Sequence, residues 1–197
     1  MSERMELKFE QRNKSILEKA EKLISKKGVA NVTMQEIAES VGVAKGTLYL
    51  HYKSKEQLLF SLIVPKLHLL IEDLKEINDE MKSVNEQMEQ AIIVMYRSDF
   101  FSFINQNYEY MHKLFNKEYS NELNDILNDI LVIITQMIER GKKRGDFDTE
   151  IPTEFLAHQF LHLFDPQTYK SLVSTNHCNE LDFINYTVNF YLNSLKK

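Results

Sequence analysis

At 197 residues the chain can bury a proper core in one or two domains, and only 5 Gly and 3 Pro favour helices joined by short loops over a β-rich fold. The single cysteine, Cys178, excludes an internal disulfide framework and suits a reducing compartment. The net charge of −5 is uneven: residues 1–66 hold 12 Lys+Arg against 8 Asp+Glu, and residues 67–197 hold 12 against 21, so a basic head precedes an acidic body. No run approaches the roughly 18 uninterrupted apolar residues of a membrane span. The charged N-terminus MSERMELKFEQR lacks the apolar core of a secretory signal, so a soluble cytoplasmic protein is expected.

In chain order, Ile16, Leu17, Ala20, Leu23 and Ile24 recur at three- and four-residue steps and predict a helix over about Leu7 to Lys27, ended by Gly28 as a left-handed cap. Thr33 with Glu36 three residues on is a capping box opening a second helix, with Ile37, Ala38 and Val41 as its apolar stripe. Gly42 supplies a turn residue and Val43 a plug. A third helix over about Ala44 to His51 then carries Lys45, Gly46, Thr47 and Tyr49 on the face that Leu48 does not use. Two short helices around a tight turn form a helix-turn-helix, whose second helix lies in the DNA major groove. A surface hairpin with no nucleic-acid partner is the plainer alternative. Ser54 with Gln57 is a second capping box, and the long fourth helix it opens runs to about Asp79, with a bend expected near Ser61 to Pro65.

Further helices are predicted over about 84–97, 99–116, 121–144, 152–173 and 180–195. Leu123, Ile126, Leu127, Ile130, Leu131, Ile134, Met137 and Ile138 make the clearest stripe, widened by Val132 and Ile133, with Ser120 as its expected N-cap. The run Arg140-Gly141-Lys142-Lys143-Arg144-Gly145 ends that helix where its dipole favours positive charge, so a solvated helix end is preferred to a second DNA site.

Three stretches together resemble the TetR family of bacterial transcriptional repressors. They are T-x-x-E-I-A from Thr33, V-G-V-A-K-G-T-L-Y from Val41 and Y-x-x-Y-K-S-K-E-x-L from Tyr49, about a quarter of the chain. Tyr52 stands where the family more often has Phe. The resemblance implies an all-α protein: a three-helix DNA-binding head at 1–54, a connecting start of the fourth helix at 55–65, and a larger effector-binding and dimerising domain at 66–197. Carried over residue by residue, it implies base or nearby backbone contacts for Lys45, Thr47 and Tyr49, close backbone approach at Gly46, and phosphate contacts for Thr33, His51, Lys53 and Lys55. Gln35 is a further backbone candidate, and His51 also fits a purely structural role.

In such proteins the last two long helices pair with their mates across a two-fold axis. The resemblance therefore implies a homodimer through Phe155, Phe160, Ile184, Val188, Tyr191 and Leu192, presenting two heads to a palindromic operator. Phe164-Asp165-Pro166 interrupts the first of those helices or bends it. In the aromatic middle region the resemblance implies a pocket for a small hydrophobic effector, lined by Tyr96, Phe100, Phe103, Ile104, Tyr108, Met111, Phe115, Ile134 and Met137. Arg97, Asn105, Gln106 and His112 are candidate polar handles there, although an aromatic stripe at helical spacing also reads as plain core.

His158 and His162 are four apart near Asp165, His177 and Cys178, but the string His158-Gln159-Phe160-Leu161-His162 lacks the intervening Glu of a zinc motif, and structural histidines are preferred to a metal site. No cofactor is implied, and no nucleophile with a base supports an enzyme. The reading is a ligand-responsive repressor. A helical dimeric interaction protein that has lost DNA binding is the alternative.

Overall fold

The computed structural model describes residues 3–79, 81–115 and 119–196, which form eleven α-helices and no strand. They divide into two compact units, a head of residues 1–65 with 109–119 and a body of residues 66–108 with 120–197. Among the described residues no helix is long and apolar enough to cross a membrane.

In the head, α1 spans Glu3–Lys27, one turn longer than its apolar pattern predicts. Ile16, Ala20 and Ile24 form its buried stripe. Gly28 has φ 76° and ψ 153°, so the chain leaves α1 in an extended positive-φ conformation rather than the expected left-handed cap. A short 3-10 turn at Val29–Asn31 leads into α2 (Met34–Val41) and then α3 (Lys45–His51). Ile37, Ala38, Leu48, Leu58, Leu59 and Ile63 are essentially inaccessible and fill the space between these helices. Burying one such side chain stabilises the fold by about 1.5–3 kcal/mol, so a handful of contacts sets a head of this size.

The fourth helix, α4 (Lys55–Ile77), runs unbroken past Pro65 and ends two residues short of the expected Asp79. Its start is half of the anticipated capping box: the Gln57 amide donates to Ser54 Oγ (3.0 Å), but Gln57 Oε1 accepts from the Lys53 amide (2.6 Å) instead. At its first turn α4 meets α7 (Tyr108–Phe115), whose residues from Glu109 onward belong to the head. Tyr110 Oη donates to Glu56 Oε1 (2.7 Å), and Lys55 Nζ lies 4.8 Å from the Tyr110 ring centre.

The body contains the second part of α4, α5 (Val84–Arg97), α6 (Asp99–Gln106), α8 (Ser120–Arg144), α9 (Thr153–His162), α10 (Pro166–Val173) and α11 (Glu180–Ser194). Here α5 packs against α8 and α11, α8 against α9, and α10 against α6 and α11. Two long expected helices are each broken in two. At Asn107 the side chain turns back, its Nδ2 donating to the Phe103 carbonyl (2.9 Å), and α6 ends. At Asp165 the carboxylate accepts from the amides of Gln167 (3.2 Å) and Thr168 (3.0 Å), and Pro166 occupies the first helical position of α10. Both are local side-chain alternatives to the helical ladder.

Along α8, Leu123, Ile130, Ile133, Ile134, Met137 and Ile138 are buried as the stripe requires, whereas Val132 is exposed. The basic end of this helix is not simply solvated. Arg140 Nη2 donates to Asn78 Oδ1 (2.5 Å) and Gln87 Oε1 (2.6 Å). The fully buried Gln87 in turn donates to the carbonyls of Asp79 (2.6 Å) and Lys82 (2.9 Å). The guanidinium therefore fastens the connection between α4 and α5 to α8. One turn on, Phe147 folds back over Gly141, whose carbonyl accepts from the amides of Asp146 (2.9 Å) and Phe147 (3.3 Å). A Cβ at position 141 would overlap the Phe147 ring, so only glycine admits this close approach.

Gly141→Ala is expected to lower stability by about 1–3 kcal/mol through overpacking. Phe147→Ala in the same chain should recover part of that loss, so denaturant titration of the single and double variants should show non-additive changes.

Candidate nucleic-acid interface

The reading helix is placed by what precedes it. The Glu36 amide donates to Thr33 Oγ1 (3.2 Å), and the Thr33 amide donates to Glu36 Oε2 (2.9 Å), a complete capping box. Lys27, at the end of α1, donates to Glu36 Oε1 (2.8 Å) and ties the box to the preceding helix. This ion pair and the Thr33 donors hold the Glu36 carboxyl down at about 2. Gly42, at φ 77° and ψ 33°, takes the left-handed conformation that ends α2, and the Val43 amide reaches back to the Ala38 carbonyl (3.0 Å). Any side chain at 42 would be strained there.

With Leu48 inaccessible beneath it, α3 turns Lys45, Gly46, Tyr49 and Leu50 outward, while Thr47 is half-buried. Lys45 Nζ lies 5.9 Å from the Tyr49 ring centre, a weak cation–π contact that holds the two side chains on one face. Leu50, 79% exposed, was not among the expected contacts. The two-residue step from a buried Leu48 is the signal that would have found it. A bare aliphatic side chain on such a face has the chemistry to meet a thymine methyl group.

The remaining head candidates separate by orientation. Lys53 is exposed. Thr33 is exposed, but its hydroxyl is committed to the capping box, donating to Glu36 Oε2 (3.0 Å). Gln35 is exposed and donates to Glu39 (2.7 Å). Lys55 turns inward: its ammonium donates to the Val29 carbonyl and sits over Tyr110, and burial holds it below its usual range. His51 stacks on Phe9 with ring centres 4.0 Å apart at 17°, and its Nδ1 is buried without a partner among the described residues. Burial, with the Arg12 charge nearby, pushes its imidazole below the usual range and towards the neutral form. This geometry matches a structural histidine better than a phosphate-binding cation.

In the body, Tyr96 is buried and donates to the Leu163 carbonyl (2.5 Å). It sits in an aromatic nest with Phe101, Phe164, Tyr169 and Phe183, at ring-centre distances of 4.7–6.0 Å. Phe103, Ile104, Ile134 and Met137 are buried, and Phe100 and Tyr108 are half-buried. Met111 is buried but belongs to the head, so the expected pocket residues are divided between the two units. The side chains of Phe115 and His112 lie outside the described residues. Of the polar handles, Arg97 and Gln106 are exposed, whereas Asn105 Oδ1 is buried with no partner among the described residues.

Of the expected dimer contacts, Phe160, Ile184, Val188 and Tyr191 are already buried within the protomer, Tyr191 donating to the Leu156 carbonyl (2.8 Å). Phe155 is exposed and Leu192 half-buried. Elsewhere on α11, Leu181, Tyr186 and Phe190 are 59–72% exposed. Tyr186 and Phe190 border an apolar groove of about 480 Å³ that Leu163, Leu172, Cys178 and Phe183 also line. Among the described residues no three His, Cys, Asp or Glu side chains converge as a metal site would need, and His158 and His162 are both exposed.

Residues 16–62 match the family model described as bacterial regulatory proteins, tetR family. A stretch of 64 residues is 42% identical to an HTH-type transcriptional regulator of Staphylococcus aureus (strain bovine RF122 / ET3-1), covering 32% of this chain and 35% of that protein. A second such regulator, of S. aureus strain USA300, is 35% identical over 77 residues, 39% of this chain and 42% of that protein. The chain thus spans well under half the length of these curated relatives. Over nearly its full length the fold is similar to that of the transcriptional regulator FadR from Bacillus subtilis in complex with stearoyl-CoA (21% identity, TM-score 0.67, covering 91% of this chain and 97% of that one). It is likewise similar to AibR in complex with isovaleryl coenzyme A and operator DNA (20% identity, TM-score 0.68, covering 91% and 97%).

The capping box yields a pH signature. A carboxyl held at about 2 when folded and near 4.5 when free contributes stability above the free value, and that contribution is lost as pH falls through about 2. NMR titration should find Glu36 still ionised at pH 3, and Lys27→Ala should raise its midpoint towards the free value.

Proposed function

We propose that this chain, which belongs to the tetR family of bacterial regulatory proteins through its residues 16–62, is a transcriptional repressor. It binds palindromic operator DNA as a homodimer and is released by a small hydrophobic effector. The observation that carries the reading is α3 itself. Leu48 and Tyr52 are buried, so the helix is anchored, yet Lys45, Gly46, Tyr49 and Leu50 are left bare on one face. An anchored helix with a bare cationic, aromatic and aliphatic face is what reading base edges requires.

A single seven-residue reader contacts few bases, and two heads on one symmetric particle would match a palindrome. The dimer surface we assign is Phe155 with the exposed Leu181, Tyr186 and Phe190 of α11, in place of the four expected residues that the protomer already buries. For the effector, the aromatic nest around Tyr96 and the unpartnered Asn105 Oδ1 support an apolar ligand with one polar anchor. FadR and AibR were captured with stearoyl-CoA and isovaleryl coenzyme A, so acyl thioesters are the first compounds to test here.

The chain itself offers a route for coupling. It leaves the body after Tyr108, places Tyr110 on Lys55 and Glu56 at the start of α4, and returns to the body at Ser120. An effector that shifts α6 would pull on α7 and hence on α4. Release follows only if the effector prefers the non-binding arrangement, and DNA then weakens effector binding by the same factor.

Selection from a random duplex library at near-physiological salt should enrich one palindrome. Lys45→Ala/Tyr49→Ala should abolish that enrichment, each lost base contact costing about 1–3 kcal/mol of discrimination. Salt-sensitive retention without any enriched sequence would instead support a helical interaction protein.

A further inference from the structure

The first turns of α1 have no counterpart in the helix-turn-helix and are not needed by its core. Residues 4–12 are all exposed, and the buried stripe of α1 begins only at Ile16. Their one ring contact among the described residues is the Phe9–His51 stack, at the last residue of α3. The helix therefore projects about three turns beyond its packing, held against the end of the reading helix by a single stacked pair.

Charge on this projection is sorted. At 3.6 residues per turn, Arg4, Lys8 and Arg12 fall on one flank of the line through Phe9, Ile16 and Ala20, while Glu6 and Glu10 fall on the other. The basic flank continues as Lys19, Lys22 and Lys26. None of Arg4, Lys8 and Arg12 is held in an ion pair among the described residues, so their charges are available to a partner. Arg12 lies on the His51 side, since its charge is felt by that imidazole. Lys53, exposed just past the end of α3, adds a fourth cation there.

We propose that the projecting start of α1 is a phosphate-binding arm: Arg4, Lys8 and Arg12 contact the DNA backbone beside the groove read by α3, and Phe9, stacked on His51, positions them. The row rises about 12 Å along the helix, so it contacts several phosphates of one backbone. Long flexible cations with no fixed hydrogen-bond geometry supply affinity and register rather than sequence reading. This proposal rests on the DNA-binding reading above.

The test is the salt dependence of binding to the enriched operator, with Lys45→Ala/Tyr49→Ala as the control that removes sequence selection. For Arg4→Gln/Lys8→Gln/Arg12→Gln, the slope of log K against log salt should become shallower by about 0.9 per lost contact, close to 3 for each head. Its sequence preference should be unchanged, and Arg4→Lys/Arg12→Lys should keep the original slope. Phe9→Ala, with every charge retained, should weaken binding and also flatten the slope. An unchanged slope in the triple variant, while the α3 control still loses selection, overturns the arm and leaves the repressor standing. An altered sequence preference in the triple variant overturns the phosphate role in favour of base reading. If the unmodified protein selects no operator, the repressor reading and the arm fall together.

Discussion

A helix of seven residues does not hold itself together in water, because nucleation is unfavourable and too few hydrogen bonds follow it. The direction in which α3 points is therefore set by its surroundings. Leu48 is sealed beneath it, Tyr52 closes its C-terminal end, and the turn at Gly42 fixes the angle at which it leaves α2. That turn is registered in its own right by the reciprocal cap at Thr33 and Glu36, which Lys27 fastens to α1. Each contact is small, but they act in series: a slip in any one of them re-aims the side chains of Lys45, Tyr49 and Leu50, proposed to read DNA.

This dependence on local contacts explains why the head was so legible in the sequence. A capping box, a turn glycine and a buried leucine within some twenty residues are all short-range signals, and the geometry follows them closely. What the sequence could not settle were choices that depend on residues far along the chain. Lys55 looked like any exposed lysine at a helix start, yet the Val29 carbonyl and the Tyr110 ring, 26 and 55 positions away, turn it inward. His51 was drawn in by Phe9, a residue outside the motif. The break at Asn107 turned instead on a local choice, whether a polar side chain would prefer a nearby backbone group to continued helix, and periodicity does not register that competition, whereas Phe164-Asp165-Pro166 had marked the break at Asp165.

The terminal helix shows the same limit from another side. α11 carries more apolar residues than the protomer buries: Phe183, Ile184, Val188 and Tyr191 are buried, whereas Leu181, Tyr186 and Phe190 are exposed. Composition alone says that some go to the protomer and some are left over, without saying which. The body settles it through α5, which packs along α11, and through the Tyr191 hydroxyl, which needs the Leu156 carbonyl once buried. Two of the three left exposed, Tyr186 and Phe190, are aromatic and border one apolar groove.

Lys55 also carries a structural duty within the head. Its ammonium joins three parts of the head, the turn before α2 through Val29, the first turn of α4 on which it sits, and α7 through the Tyr110 ring. Tyr110 completes the cluster by donating to Glu56, which helps hold that carboxyl below its usual range, while burial pushes the Tyr110 phenol up to about 12. A partly buried cation is costly to leave unpaired, and without Tyr110 the ammonium would keep only the Val29 carbonyl. Lys55 thus ties the start of α4 to the turn before α2 and to α7, and its inward turn serves that structural duty in place of a phosphate contact.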